Sequence, residues 1–523
     1  MPRSKALFNT LIVAGGYLAS RLLGLGRDVI ISAQFGTQPA LDAFRASFGI
    51  LDLIYLVIAG GALGSAFIPV FSELLAGGRV QRAWQLANAI LSLACAALLI
   101  ACSLIAIFAE PIIALSVGRG FDTAQQQLTA HILRLMLIQP IFLGLGGLAK
   151  ATLESFDRFT LPAIGANLYN LGIIGGALLA PWGGIDALLW GVNSGALLFL
   201  LVQLPGLQQI GARPMLTSPL ALGETRRVLW LLAPRLFGQS AWQINLIAIA
   251  SFASTLGSGA VAANGYALQL MMLPHGLIAL SVGTVIFPQL ARLHASDLAA
   301  FRATTLQAIR GVLFVALPAA AGLGILALPG LRALFQRGAF DATSASLTAA
   351  ALTGYAVGLA AFAAAEIIVR AFYAMQDTRT PVVVASLAVG MNLVIAWAML
   401  QAGYGLFGLG LAFSIANIAE ALVLLLLLRS RIGRFGHEFR AAMLVIGAAG
   451  AVCGSVLLLL QQGAATTLPF IQPGDTYRWP EDFPVLLAWL VLCGALASAT
   501  YLACTALFGL GETRQLAARL RRR

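Results

Sequence analysis

Charge is scarce in this chain of 523 residues: Asp, Glu, Lys and Arg together make up 10%. A soluble globular domain carries about 25%, so an ordinary water-exposed fold is excluded. Cysteine is sparse and odd in number, at positions 95, 102, 453, 493 and 504, all inside apolar runs. Without paired spacing these residues make no disulfide framework and read as small buried hydrophobes. The four histidines, His131, His275, His294 and His437, are scattered and show no metal-ligand spacing. No Walker motif occurs, so the chain holds no ATPase engine. No loop is long enough for a soluble nucleic-acid-binding domain, so nucleic acid is not an expected partner despite a net charge of +12. Asp475, Glu481 and Asp482 share one outer loop, 462–483, and read as a solvated loop rather than as catalytic carboxylates. Nothing points to an enzyme, and neither a cofactor nor a metal is expected.

Long hydrophobic runs are what the chain has in abundance. Hydrophobic residues make up 60% of it, and the mean hydropathy is +0.90. Apolar stretches long enough to span a bilayer recur from end to end. They predict an all-α integral membrane protein of fourteen transmembrane segments, near 7–35, 43–74, 83–109, 125–152, 160–180, 186–208, 226–254, 260–291, 304–328, 346–374, 381–401, 405–428, 440–461 and 484–508. The N-terminal run imitates a signal peptide, but it holds Arg21 and Arg27 and no clear cleavage site, so it reads as part of the mature protein. With the N-terminus inside, 22 of the 32 basic residues fall in inner loops and tails, and only Arg119, Arg332, Arg337 and Arg478 in outer loops. This positive-inside bias places both termini in the cytoplasm.

The chain repeats itself at an interval of about 220 residues. Leu63-Gly64-Ser65-Ala66-Phe67-Ile68-Pro69 matches Val282-Gly283-Thr284-Val285-Ile286-Phe287-Pro288. Lys150-Ala151, Asp157 and Thr160 match Arg370-Ala371, Asp377 and Thr380, while Pro162 and Pro381 follow with a one-residue slip. Six segments separate each pair, so the two units keep one orientation in the membrane. Parallel repeats predict two lobes around a central site that works by alternating access. The expected division is 1–210 for the first lobe, 211–435 for the second, and 436–523 for two extra segments with a basic tail.

Arginine inside the first segment is the feature that costs most. Even a mild insertion scale sets about 2.5–3.5 kcal/mol on an arginine at a helix centre. Arg21, Arg27, Asp28, Asp42, Arg45 and Asp52 lie on segments 1 and 2 or at their junction. Two readings compete there: structural ion pairs of Arg27 or Arg45 with Asp28 or Asp42, and a cavity for something anionic. Arg21 lies deeper and has no acidic neighbour within a turn, which favours the second. Segment 7 adds Arg235, Gln243 and Asn245, and segment 8 adds Asn264 and Gln269. A guanidinium binds phosphate bidentately and stays charged, so arginines from both lobes suit a phosphate-bearing substrate. Glu366 and Glu420 are candidates for titration, cation binding or simple pairing.

Together these residues resemble the MurJ (MviN-type) lipid II flippases, in the superfamily that also holds multidrug antiporters. The resemblance rests on Ser20-Arg21-Leu22-Leu23-Gly24 through Arg27-Asp28, Asp42-Ala43-Phe44, Gly61-Ala62 through Pro69, and Asp157-Arg158-Phe159 through Pro162. It continues in Gln243-Ile244-Asn245-Leu246, Leu273-Pro274-His275-Gly276, Gly283-Thr284 and Ala371-Phe372-Tyr373-Ala374 through Pro381. It implies a bacterial cytoplasmic-membrane flippase that binds the pyrophosphate and sugar-peptide head of lipid II in a cationic cavity. Segments 13 and 14 would hold the polyprenyl tail in a groove open to membrane lipids. Cell-wall synthesis proteins are the implied partners.

The chain departs from the family pattern inside that cavity. Tyr55 and Leu56 stand where many members have adjacent arginines, and Gly60 where they have an acid. Leu268, Gln269 and Met272 replace an aspartate-arginine pair and a glutamate. Asn392 is the polar remnant on segment 11, and no carboxylate stands in the predicted spans of segments 7 and 11, where some members bind sodium. The expectation is that Arg45 and Arg235 partly restore the lost charge. The alternatives are a flippase for another polyprenyl-linked glycan and a cation-coupled multidrug exporter, the latter disfavoured by basic walls.

Overall fold

A computed structural model describes residues 3–58, 61–213, 215, 217, 223–474 and 477–513. Gly60, Asp475 and the last ten residues, with their arginines, lie outside the described residues. The described chain is helical throughout and divides into two compact units, 1–258 and 259–523.

The first unit contains α1 (Arg3–Phe35), α2 (Pro39–Ile58), α3 (Gly61–Ala76), α4 (Val80–Ile107), α5 (Ala109–Leu115) and α6 (Thr123–Met136). It continues through α7 (Ile138–Ser155), α8 (Thr160–Leu178), α9 (Ala180–Leu201), α10 (Leu204–Gln209) and α11 (Gly223–Ser254). The second contains α12 (Ala260–His275), a π-helical turn at Gly276–Leu280, α13 (Ser281–Ser296), α14 (Leu298–Ile325), α15 (Ala327–Phe335) and α16 (Ala342–Ala374). Then come α17 (Arg379–Gln401), α18 (Gly405–Ile432), α19 (His437–Ala464) and α20 (Phe483–Leu507).

Eleven helical segments among the described residues are long and apolar enough to cross a membrane. The segments α1, α2–α3 and α11 complete the fourteen expected spans. Three spans are subdivided among the described residues: segment 4 into α6 and α7, segment 6 into α9 and α10, and segment 8 into α12, the π turn and α13. The short helices α5 and α15 stand in stretches that the sequence pattern marks only as loops, because their apolar runs are too short to register as spans.

Capping explains several boundaries. The Asp122 carboxylate accepts from Gln125 N at 2.8 Å to start α6, and the Asp341 carboxylate accepts from Ser344 N at 2.8 Å to start α16. Both leave a helix N-terminus with one orphan amide fewer. These two caps stand 219 positions apart, as do Pro69 inside α3 and Pro288 inside α13. The repeat read from the letters therefore has a counterpart in local geometry, at one consistent register.

Close helix pairs depend on small residues. A Cβ on Gly172 of α8 would come within 2.4 Å of Gly195 Cα on α9. In the second unit a Cβ on Gly358 of α16 would come within 2.5 Å of Ser414 Cα on α18. Small residues at such crossings let backbones approach, which is how helices associate in lipid, where apolar burial offers little drive. The first unit's core joins Leu63, Phe67 and Phe71 of α3 to Leu86 of α4 and Val228 of α11. The second unit's core joins Phe301 and Ile309 of α14 to Ile367 and Phe372 of α16 and Leu424 of α18. A further cluster ties Cys453 and Leu457 of α19 to Trp489 and Cys493 of α20 and to Phe470 in the loop between them. Large apolar side chains such as Leu99, Ile107, Trp190, Trp397 and Leu459 face outward, as a lipid-exposed surface requires.

Candidate functional site: a cation cluster on α1, α2 and α8

Asp28 organises the charged groups of the first unit. It is 2% exposed, and its Oδ1 lies 3.1 Å from Arg27 Nη2 and 4.0 Å from Arg45 Nη2. One buried carboxylate thus holds one arginine from α1 and one from α2. The second Arg27 arm reaches Asn170 Oδ1 on α8 at 3.2 Å, and Asn170 Nδ2 donates to Ser20 Oγ at 3.3 Å. These bonds fasten α1 to α8, against which it packs. Both guanidinium side chains remain about one-fifth exposed, so each is oriented without being sealed.

Around this core lies a second layer of polar groups. Tyr169, next to Asn170, receives a hydrogen bond from Gln139 Nε2 of α7 at 2.9 Å. It is within electrostatic reach of Arg27, Asp52 and Tyr55. Asp52 is exposed on α2, three residues before Tyr55. The arrangement offers fixed cationic donors beside hydroxyl and amide groups.

The remaining predicted residues fall in several places. Arg21 is exposed on α1, seven residues before Asp28 and so about 10 Å along the same face. Asp42 is fully buried in the first turn of α2, where a carboxylate favours the positive helix end. Gln243 of α11 donates through Nε2 to Gly49 O of α2 at 2.9 Å, an interhelical bond to backbone. Asn245 is buried on α11 and Gln269 half-buried on α12. Arg235 lies on α11, but its side chain is outside the described residues. Asn264 accepts from the Tyr355 hydroxyl at 3.0 Å and joins α12 to α16. Glu366 pairs with Arg370 one turn on, at 2.7 Å. Asn170, Tyr169 and Gln139 were not singled out by sequence reasoning, although a polar Asn-Leu-Tyr-Asn run at 167–170 was the available signal.

The fold that carries this cluster is shared with known transporters. Superposition on a lipid II flippase MurJ in an inward closed conformation gives a TM-score of 0.78 at 24% identity, over 94% of this chain and 98% of that one. An inward-facing MATE multidrug transporter of the MOP superfamily gives 0.67 at 17% identity, over 79% of this chain and 94% of that one. The molecule is thus a multi-pass membrane protein that shares its fold with these transporters.

A sequence model described as lipid II flippase MurJ matches residues 31–471. The lipid II flippase MurJ of Burkholderia cenocepacia is 32% identical over 438 residues, covering 81% of this chain and 84% of that one. A probable lipid II flippase MurJ of Bdellovibrio bacteriovorus is 32% identical over 434 residues, covering 82% and 83%. The chain belongs to the lipid II flippase MurJ family, a family of transporters rather than enzymes.

Proposed function

We propose that this chain moves lipid II from the inner to the outer leaflet of the bacterial cytoplasmic membrane by alternating access, with both termini cytoplasmic. Family membership carries this reading, and the cation cluster supports it. Stripping a charged pyrophosphate head of its water in hydrocarbon is costly. Arginines held in place by Asp28 and Asn170 offer donors in exchange, and a guanidinium fork matches phosphate oxygens two at a time. Arg21, Arg27 and Arg45 contact the head in this reading, with Arg235, Gln243, Asn245 and Gln269 as further contacts. Asp28 and Asp42, both buried, orient rather than touch. The lobes are 1–210 and 211–435, with 436–523 appended.

For the tail, an apolar cavity of about 360 Å³ in the second unit supports a seat beside α20. Its walls include Pro274 of α12, Leu323 of α14, Leu334 of α15, Leu352 of α16 and Leu490 of α20. The membrane potential supplies about 2.3 kcal/mol per charge per 100 mV, and its inside-negative sign favours outward movement of an anionic head. Cell-wall synthesis proteins that consume the head outside are the partners that fit this direction.

One observation favours a second reading. Tyr55 and Leu56 bring no charge to α2 beside Asp52, which leaves room for a different polyprenyl-linked glycan. The test is complementation of a bacterium depleted of its own lipid II flippase, with wild type and Arg21→Ala at equal membrane abundance. Rescue by the wild type alone supports lipid II transport through a cationic cavity. Rescue by both removes Arg21 from the site. Rescue by neither moves the other glycan ahead.

A further inference from the structure

The first unit holds a second cavity, away from the cation cluster, that the transport reading does not use. Its volume is about 320 Å³, and it lies among α4, α7, α9 and α10, with Ala212 and Arg213 also in its lining. Leu91, Leu145, Leu148, Leu200, Leu204 and Leu207 form apolar walls. On α4 the lining runs from Trp84 to Cys95, about 16 Å along the axis. That shape is a narrow slot at the small end of ligand pockets. It suits one flexible hydrocarbon chain.

The polar residues of the lining are Asn88, Thr152 and Arg213. Asn88 is already engaged: its Nδ2 donates to Arg213 O at 3.1 Å, and its Oδ1 accepts from Met215 N at 3.2 Å. One turn on, Ser92 Oγ accepts from Thr217 N at 2.8 Å. Two side chains of α4 therefore hold the backbone at Arg213, Met215 and Thr217. Arg213 is the one charged residue of the lining. It is exposed, and no carboxylate among the described residues pairs with it. Trp84 lines the same slot, one turn before Asn88. α4 and α9 expose Leu99, Ile100, Trp190, Leu198 and Leu201, an apolar surface suited to contact with bilayer lipid.

We propose that this slot binds an anionic phospholipid of the surrounding bilayer, with one acyl chain among the leucines and its phosphate on the Arg213 guanidinium. Charge complementarity selects the occupant. An exposed cation with no carboxylate partner among the described residues, in the lining of an apolar slot, favours a lipid phosphate that has no cation of its own, and juxtamembrane arginines attract anionic lipid. None of Arg21, Arg27 or Arg45 lines the slot, which separates it from the transported head. Bound lipid would add a further hold on Arg213, beside the bond from Asn88.

Cys95 at the far end of the slot provides the readout. The full chain is placed in nanodiscs of phosphatidylcholine or phosphatidylglycerol, treated with an apolar maleimide, and labelling at Cys95 is followed by peptide mass spectrometry. Labelling should be about fivefold slower in phosphatidylglycerol. Arg213→Gln should abolish the difference, and Arg213→Lys should keep part of it. Equal rates in the two lipids, or an undiminished difference in Arg213→Gln, would overturn the proposal. Stronger protection by a polyprenyl phosphate doped into phosphatidylcholine than by phosphatidylglycerol would overturn the assignment to bilayer phospholipid.

Discussion

Asp157 and Gln376, 219 positions apart, end α7 and α16 with the same left-handed turn, at φ 58° and 60°. Around each, the same two amide bonds close the helix. Asp157 N donates to Glu154 O and Arg158 N to Leu153 O, as Gln376 N donates to Tyr373 O and Asp377 N to Phe372 O. Both side chains are exposed, so the backbone alone sets the requirement. A left-handed conformation costs an L-residue about 1–2 kcal/mol, less for Asp, whose short polar side chain tolerates it. Glycine removes that cost but adds freedom to the unfolded chain. Gln376→Gly should therefore stabilise by about 0.5–1 kcal/mol, and Asp157→Gly by less. Unfolding midpoints in detergent check both, and a lower midpoint for Gln376→Gly would contradict the strain argument.

This pair also shows where the letters mislead. By identity, Asp157 matches Asp377 and Thr160 matches Thr380. By conformation, Asp157 matches Gln376, because the turn selects a backbone angle rather than a side chain. The fourteen spans were legible because long apolar runs announce themselves, and the pairing of Arg27 with Asp28 because the two are adjacent. Asn170 lies 143 positions from Arg27, and no pattern in a single sequence connects them. Arg310 of α14 pairs with Glu512 beyond α20, 202 positions away, which no pattern in a single sequence connects either. The division of segment 8 by a π turn left no trace in hydropathy, since every residue from Gly276 to Leu280 suits an uninterrupted apolar helix.

Neutralising Asp28 should harm the fold more than neutralising either arginine. Asp28→Asn keeps the shape but leaves Arg27 and Arg45 without their buried anion. Removing one partner of a fully buried pair costs about 3–5 kcal/mol, and partial exposure of the guanidinium groups lowers this to about 2 kcal/mol. Adding Arg27→Gln to Asp28→Asn should recover part of the loss. A double-mutant cycle on the unfolding free energy reads the coupling directly. Strictly additive losses would mean that the two groups do not act as a pair.

Arg332 offers a contrast, since it reads as an outer-loop charge and is in fact fully buried. From α15 its Nη1 and Nη2 donate to the carbonyls of Phe470 and Gly474, clasping the loop between α19 and α20. Arg337 adds a contact over the Trp479 ring at 4.3 Å. Hydrogen bonds from a charged donor contribute about 1.5–3 kcal/mol each. Arg332→Met should thus lower stability by about 2–4 kcal/mol and open the loop to limited proteolysis near 472–482. A variant as stable and as resistant as the wild type would show that apolar packing of Phe470 and Ile471 suffices.

Asp377 sets an acid limit that can be assigned to particular bonds. Its carboxylate accepts from Thr380 N at 3.0 Å and from Thr380 Oγ1 at 2.7 Å, and Arg431 lies 3.6 Å away. The Thr380 amide first, then its hydroxyl, with a smaller contribution from Arg431, hold the carboxyl below the ordinary aspartate value of 3.8. A carboxyl depressed in the folded state stabilises fully above its unfolded value and loses that contribution as pH falls through the folded one. Asp377→Asn should therefore cost about 1 kcal/mol at neutral pH, a typical helix-cap loss, with the gap to wild type closing at pH values below 3.8. Thr380→Val removes the hydroxyl but keeps the amide, the larger influence, so it should retain more than half of the effect. Unfolding midpoints of the three proteins across the acid range decide it. A gap that stays constant with pH would assign the stabilisation to the shape of the turn rather than to the charge of Asp377.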